Sequence, residues 1–475
     1  MNFIDALRQE DILTENGMAT NSSSLNACVD LFFNIGAMRG QDKQRLIATF
    51  SKAFNEDPVR AMKLLFWARD VRGGAGERQV FKDILVYLAE NHDLALRPNL
   101  HLITEYGRWD DLLALVGTYL EKEAMTLISD ALIAENSLCA KWMPRKGQVA
   151  EKLRKFMGMS PKQYRKTLVG LTNVVETKMC AREWDSIEFG KLPSVASARY
   201  QKAFGKRAYE SYSAYIASLV KGEAKINAGA VYPYDITKSL NFGNAEVANE
   251  QWKALPNYME GANDMILPVV DVSGSMSTPA GGSKTVTCMD VAISLGLYIS
   301  ERNEGAFKDA FITFSDNPKL QVVTGSLADR YAQMSRSDWG MSTNLEATFK
   351  LILNQATKHK LSQDEMPNKI LILSDMEFNS ATNSGWRNTG STWNPTAQQM
   401  IEDMYDVAGY TMPQIVYWNI QSRNGGVPVA FDKQGTALVS GFSPAIMTSL
   451  LGGDIESPQQ IMDKTILSER YAPIV

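Results

Sequence analysis

Three stretches of the chain put hydroxyls and carboxylates where oxygen chemistry could occur. In Asp271-Val-Ser-Gly-Ser275 a carboxylate and two hydroxyls stand at i, i+2 and i+4 of a glycine-containing loop, a spacing that turns their oxygens to one side. Gly340-Met-Ser-Thr-Asn-Leu-Glu-Ala347 brings Thr343, next to Ser342, to the opening of a helical pattern. Lys369-Ile-Leu-Ile-Leu-Ser-Asp375 closes an apolar run on a second acid. Hard oxygen donors suit Mg²⁺, with Ca²⁺ or Mn²⁺ as alternatives, whereas a set without thiol or imidazole speaks against zinc. Alone, the first segment reads more readily as a polar turn after a strand. The three together, in this order, read as a divalent-metal site.

The elements needed to position such a site are present. Met265-Ile-Leu-Pro-Val-Val, Ala310-Phe-Ile-Thr-Phe, Lys319-Leu-Gln-Val-Val, Lys369-Ile-Leu-Ile-Leu and Gln414-Ile-Val-Tyr-Trp are short apolar runs separated by helical patterns. That alternation predicts a mainly parallel sheet covered on both faces, with ligands collecting at the carboxyl ends of its strands. No G-x-G-x-x-G follows any of these strands, which disfavours a dinucleotide site. From residue 1 to about 240 the spacing is instead helical, broken at Arg72-Gly-Gly-Ala-Gly, Arg97-Pro-Asn, Met143-Pro-Arg-Lys-Gly and Gly158-Met-Ser-Pro. The fold class expected is α plus α/β: a helical-repeat domain over residues 1–245 and a doubly wound α/β domain over 260–475, joined by a polar linker within Asn241–Asn263. A Ser/Thr/Asn/Gly-rich insertion, Glu377 to Trp393, reads as a mobile loop beside the site.

Composition narrows the classes. Of 475 residues, 45% are hydrophobic and 21% charged, as in a globular protein. No apolar run is long enough to cross a bilayer and the first residues lack a signal-peptide pattern, so a cytoplasmic protein without membrane contact is expected. The cysteines, Cys28, Cys139, Cys180 and Cys288, show no C-x-x-C spacing, and reduced, mostly buried thiols follow. With His92, His101 and His359 far apart, a Ser-His-Asp hydrolase is disfavoured. No carboxylates are spaced to hold two metals, so a non-catalytic role is expected.

The net charge of −4 conceals a split. Residues 1–250 hold 33 Lys/Arg and 30 Asp/Glu, whereas residues 251–475 hold 16 and 23. The excess is concentrated in 141–225, with 18 basic and 7 acidic residues. There Lys141, Arg145, Lys146, Lys152, Arg154, Lys155, Lys162, Arg165 and Lys166 form a basic run interleaved with Trp142, Phe156 and Tyr164. Phosphates attract such cations and unpaired bases stack on aromatic faces, so single-stranded or structured RNA is a fitting ligand. The same residues also suit a solvated helical face with core anchors.

Two resemblances add to this reading. The three oxygen-bearing segments resemble the metal-ion-dependent adhesion site of von Willebrand factor A domains. The resemblance implies Asp271, Ser273, Ser275 and Thr343 as direct or water-mediated ligands, Asp375 as a supporting acid, and an open position for an acidic side chain of a protein partner. In the N-terminal half, Leu64 to Arg78, containing Arg72-Gly-Gly-Ala-Gly-Glu-Arg78, resembles the R-G-G-x-G-E-R signature of the TROVE module of Ro proteins. Gly107-Arg-Trp-Asp-Asp111, Lys141-Trp-Met-Pro-Arg-Lys146 and Lys221-Gly-Glu-Ala-Lys-Ile-Asn227 look more like a Ro-like branch seen in plants and phages. In the Ro family a HEAT-like helical ring is closed by a von Willebrand factor A domain and binds small non-coding or misfolded RNA. The resemblance therefore implies an RNA-binding ribonucleoprotein component, with no DNA ligand expected. The alternative is a metal-dependent protein–protein adaptor whose helical half is only a scaffold. Within the signature itself, the glycines also fit a tight interhelical turn, with Glu77 capping or pairing locally.

Overall fold

The computed structural model describes residues 11–240, 245–314, 317–335, 343–380 and 395–475. The chain is mixed α/β: helices run throughout, and a mostly parallel six-stranded sheet occupies the C-terminal half. A short antiparallel hairpin comes first, β1 (Asp11–Leu13) and β2 (Ala19–Asn21). The main sheet is built from β3 (Ile266–Asp271), β4 (Ala310–Phe314), β5 (Lys319–Val322), β6 (Lys369–Ser374), β7 (Gln414–Asn419) and β8 (Thr436–Ser440). Its order is β5-β4-β3-β6-β7-β8, with β5 antiparallel at one edge and every other pairing parallel. The order reverses between β3 and β6, so the crevice at their carboxyl ends is the topological switch point of an open sheet.

The strands follow from their residues. β3, β4, β6 and β8 are buried at every position, which their unbroken apolar runs require. Pro268 lies inside β3, yet pairing with β4 begins only at Val269, so the missing N–H falls before that ladder starts. Thr436-Ala-Leu-Val-Ser440, flanked by polar residues, is a strand that the sequence pattern did not single out. Helix Cys288–Arg302 packs on β3 and β4. Its Gly296 makes this close approach possible, since a Cβ there would stand 2.6 Å from Val270 Cγ2.

The two halves share one core. Helix Ala27–Ile35 lies on β8 and β7, and a continuous cluster of buried apolar side chains runs from Met18 to Ile474. A smaller cluster around Phe189, Phe204 and Tyr212 forms a separate nucleus within the helical half. The C-terminal segment folds back onto the first helices: Arg60 pairs with Asp463 at 2.8 Å, and Lys63 Nζ donates to the Tyr471 carbonyl at 2.8 Å. The stretch read as a linker is a helix from Ala245 to Lys253, with Val247, Ala248, Gln251 and Trp252 buried; residues 241–244 lie outside the described residues. Its apolar positions at i, i+1 and i+5 form one buried stripe that its polar composition concealed.

In Arg72-Gly-Gly-Ala-Gly-Glu-Arg78 the turn reading fits, but Glu77 reaches beyond its neighbourhood. Fully buried, it accepts from Arg39 Nε and Nη2 at 2.8 and 2.7 Å. Gly76 has φ +71° and stands against Tyr232, whose hydroxyl a Cβ would meet at 1.6 Å. Asp70, also fully buried, accepts from the Tyr471 hydroxyl at 3.0 Å and from Arg470 Nη2 at 2.8 Å. The signature is thus a junction of several chain segments. Asp111 of the Gly107-Arg-Trp-Asp-Asp111 motif is likewise structural, buried against Arg69 Nε at 2.7 Å. Cys28, Cys139 and Cys288 are buried free thiols and Cys180 is exposed. Among the described residues no helix is long and apolar enough to cross a membrane.

Candidate metal centre and basic surface

Parallel pairing of β3 with β6 sets Asp271 beside Ser374, so the two candidate acids leave neighbouring strands at the switch point. Asp271 is fully buried; its Oδ1 accepts from Ser273 N at 2.9 Å and its Oδ2 from Ser374 Oγ at 2.6 Å. Ser374 Oγ in turn accepts from Met376 N at 3.0 Å. Met376 has φ +64°, a left-handed conformation that a bulky side chain adopts only at a cost, directly after Asp375. Backbone strain of this kind concentrates at functional sites. Ser273 Oγ and Ser275 Oγ lie 3.0 Å apart, so the two hydroxyls of the loop do converge. Thr343 is buried, and its backbone is tied to Asn379: Asn379 N donates to Thr343 O at 3.0 Å, and Thr343 N donates to Asn379 Oδ1 at 3.4 Å. This brings it to the segment after Asp375. Ser342 lies outside the described residues.

Burial, and then repulsion from Asp375, push the Asp271 carboxyl well above the usual carboxylate range. Asp375 is raised by burial and partly drawn back by the Arg423 guanidinium. Two acids this close and this dry repel one another unless a cation stands between them. Arg423 supplies part of that charge: its Nη2 is 3.2 Å from Asp375 Oδ2, an ion-pair distance without hydrogen-bond geometry, and donates to Ser275 O at 2.7 Å and Thr278 Oγ1 at 3.0 Å. Asp375 Oδ2 is consequently a buried oxygen without a hydrogen-bond donor. A carboxylate oxygen that accepts no hydrogen bond, a second acid and a pair of hydroxyls suit a hard divalent cation. Among the described residues no three His, Cys, Asp or Glu side chains converge, so the donor set must draw on hydroxyls and water.

The sequence reading passed over several groups here. Ser374 orients Asp271, Arg423 balances Asp375, and Glu377, 4% exposed, accepts from Glu15 N at 2.6 Å. Arg423 was findable in principle, since it lies past the carboxyl end of β7 as Asp375 lies past that of β6. Nothing local marks Glu15 or Glu377. The start of the Glu377–Trp393 insertion is not loose: Glu377 and Phe378 are buried and bonded to the N-terminal hairpin, while 381–393 lie outside the described residues.

The basic run sits on helices Gln148–Phe156 and Pro161–Leu171, on the end of helix Ser137–Trp142 and, for Arg145 and Lys146, on the bend between the first and last of these. Lys152 pairs with Glu121 at 2.7 Å, Lys155 and Arg154 with Glu151 at 2.9 and 3.5 Å, and Lys141 with Glu176 at 3.7 Å. Arg145 is exposed and reaches Thr172 Oγ1 at 3.4 Å. Lys146, Lys162, Arg165 and Lys166 are exposed, with no ion-pair partner among the described residues. The aromatics separate. Tyr164 is a core residue, 3% exposed, whose hydroxyl donates to Pro144 O, because it falls on the inner face with Leu168. Trp142 is covered by the Arg108 guanidinium at 3.7 Å, and Phe156 stays exposed.

A domain family of unknown function (DUF7788) matches residues 265–470, and a second domain of unknown function (DUF2828) matches residues 14–134 and 148–264. The boundary between them falls just before β3. An uncharacterized protein of Acanthamoeba polyphaga mimivirus is similar at 31% identity over 511 residues, a match that covers 94% of this chain and 86% of that protein.

Proposed function

Since this chain belongs to the family that joins DUF2828 to DUF7788, and in this chain Asp271 ends β3 while Asp375 directly follows β6, we propose that it is a metal-dependent docking protein. On this reading residues 260–475 form a von Willebrand factor A-type domain, and the helical half, a HEAT-like repeat related to the TROVE module, is its scaffold. The observation that carries the reading is the convergence at the switch point of Asp271, Ser273, Ser275 and Asp375, whose Oδ2 is ion-paired with Arg423 but accepts no hydrogen bond. These residues, with Thr343, would hold Mg²⁺, or Ca²⁺ or Mn²⁺ in its place. The cation would supply an electrophilic position for a partner's carboxylate. The chain's own part is to hold the donors rigid: Ser374 fixes Asp271, and the Met376 turn fixes Ser374.

Calorimetric titration of the full chain with MgCl₂ and MnCl₂ tests this. One divalent ion bound per chain, weakened on the order of 100-fold or more by Asp271→Ala with the circular dichroism spectrum unchanged, is the expected result. No binding, or binding indifferent to Asp271→Ala, would overturn it.

A second reading, RNA binding as in Ro proteins, is supported by one observation. Lys146, Lys162, Arg165 and Lys166 stand exposed without carboxylate partners among the described residues, on either side in sequence of the exposed Phe156. It is compatible with the first, since the two surfaces use different residues.

A further inference from the structure

Arg423 brings a positive charge into the candidate metal centre without bonding the acid it faces. Its Nη2 stands 3.2 Å from Asp375 Oδ2 but donates to Ser275 O at 2.7 Å and to Thr278 Oγ1 at 3.0 Å, while Nη1 pairs with Glu15 at 3.1 Å. Asp375 Oδ2 therefore feels the charge and accepts no hydrogen bond. An arginine that serves as a structural partner of a buried acid commonly forms a two-bond fork with it. Arg39 does so with Glu77, at 2.8 and 2.7 Å. Arg423 leaves the lone pairs of Asp375 Oδ2 open, which suits an oxygen that is also to hold an ion.

The backbone that carries Arg423 is fixed from the helical half. Arg45, on helix Lys43–Glu56, donates from Nη1 to Ser422 O at 3.1 Å and to Arg423 O, and from Nη2 to Ser422 Oγ at 2.6 Å. Ser422 N donates to Ala37 O at 3.2 Å, and Asn424 Nδ2 to Glu377 Oε1 at 3.3 Å. With the main chain anchored on both sides of it, Arg423 reaches the centre by its side chain alone. That side chain is 17% exposed and the Glu15 carboxylate is 47% exposed, whereas Asp375 is wholly enclosed. The guanidinium thus spans from buried acid to solvent, and rotation about its side-chain bonds can carry it outward while the loop stays in place.

We propose that Arg423 is a resident counter-cation: its guanidinium neutralises Asp375 until a divalent ion binds, and the ion binds by expelling it toward Glu15 and solvent. The inference rests on the metal reading proposed above and adds what sets the ion's affinity. Two cations drawn to one carboxylate oxygen, a few ångströms apart and poorly screened, repel each other strongly. Part of the ion's binding energy is spent on displacing the guanidinium, so Arg423 weakens metal binding in the wild-type chain.

Calorimetric titration with MnCl₂ at pH 8 and fixed ionic strength compares the full-length wild type with Arg423→Gln and Arg423→Lys. The Gln variant, which keeps a planar amide but no charge, is expected to bind the ion at least about tenfold more tightly, and the Lys variant, which keeps the charge, within about threefold of wild type. A role for Arg423 in holding the donors together would give the opposite sign, with weaker binding in the Gln variant. Should the Gln variant misfold, the wild-type chain carries the test. Phenylglyoxal labelling of Arg423, read by peptide mass spectrometry, is expected to quicken at least about threefold on adding MgCl₂, because the ion shifts the guanidinium to its exposed position. Unchanged or weaker binding by a folded Gln variant would overturn the inference, as would labelling that MgCl₂ leaves unchanged or slows. Ion binding by wild type that the Gln variant does not strengthen removes only the counter-cation, whereas no binding by any of the three chains removes the metal reading itself.

Discussion

The carboxyl edge of the sheet and the basic helices at 141–171 both concentrate charge, yet they treat it in opposite ways. At the edge, Asp271 and Asp375 are buried and their partners come from far along the chain: Ser374 lies 103 residues from Asp271, and Arg423 joins β7 to the site. On the helices the charges are exposed, and several are paired one turn away, as Glu151 is with Arg154 and Lys155. Burial makes the first arrangement strongly interdependent, since a desolvated acid without a partner is expensive. Solvent screens the second, so each lysine or arginine there is nearly replaceable in stability and useful only to a ligand. A dense run of one charge in sequence is therefore weaker evidence of a built site than a sparse set of acids that the fold draws together.

The comparison is broken most directly by removing Arg423. Arg423→Ala leaves Asp375 buried without its cation, and urea denaturation in metal-free buffer is expected to register a loss of about 3 kcal/mol. Millimolar Mg²⁺ is expected to return part of it, because an ion bound only by the folded chain adds stability by mass action. A loss under about 1 kcal/mol would show that the edge behaves like an ordinary surface.

The helices are tested by their salt response. Lys162→Glu, Arg165→Glu and Lys166→Glu together are expected to change folding stability by no more than about 0.5 kcal/mol each, as surface substitutions do. Under the RNA reading the slope of log affinity against log salt is expected to fall by about one for each phosphate that is no longer neutralised. Single-stranded RNA binding measured across a salt series checks both. An unchanged slope removes this face as an RNA surface.

The smallest effect is expected at Glu121, which the Lys152 ammonium holds below the usual carboxylate range. A carboxyl depressed in the folded state stabilises above its unfolded value, here 4.5, and that contribution fades as pH falls through the folded value. Glu121→Gln is therefore expected to cost well under about 1 kcal/mol at pH 7 and nothing once pH is low enough to protonate the wild-type carboxyl. Denaturant midpoints at pH 7 and pH 3 measure the difference.

By itself the sequence determined the mixed α/β class, the change from helical to alternating pattern before β3, and the oxygen-rich loop after it. These are local: an apolar run of β-forming residues, a proline or glycine break, a D-x-S-x-S spacing. It also brought Asp375 into view, because an acid ending an apolar strand is visible within a few residues. Tertiary structure alone decided the rest. Whether Tyr164 stacks on a ligand or fills the core depends on which helix face meets a neighbour, and Leu168 beside it settled that. Whether 245–253 links or packs depended on Trp252 finding helix Cys288–Arg302. That Ser374, Arg423 and Glu15 surround Asp271 and Asp375 could not be read locally, since parallel pairing and a switch in strand order bring together residues hundreds of positions apart. Hydrogen bonds and ion pairs reach only a few ångströms, and it is the fold that decides which side chains come within that reach.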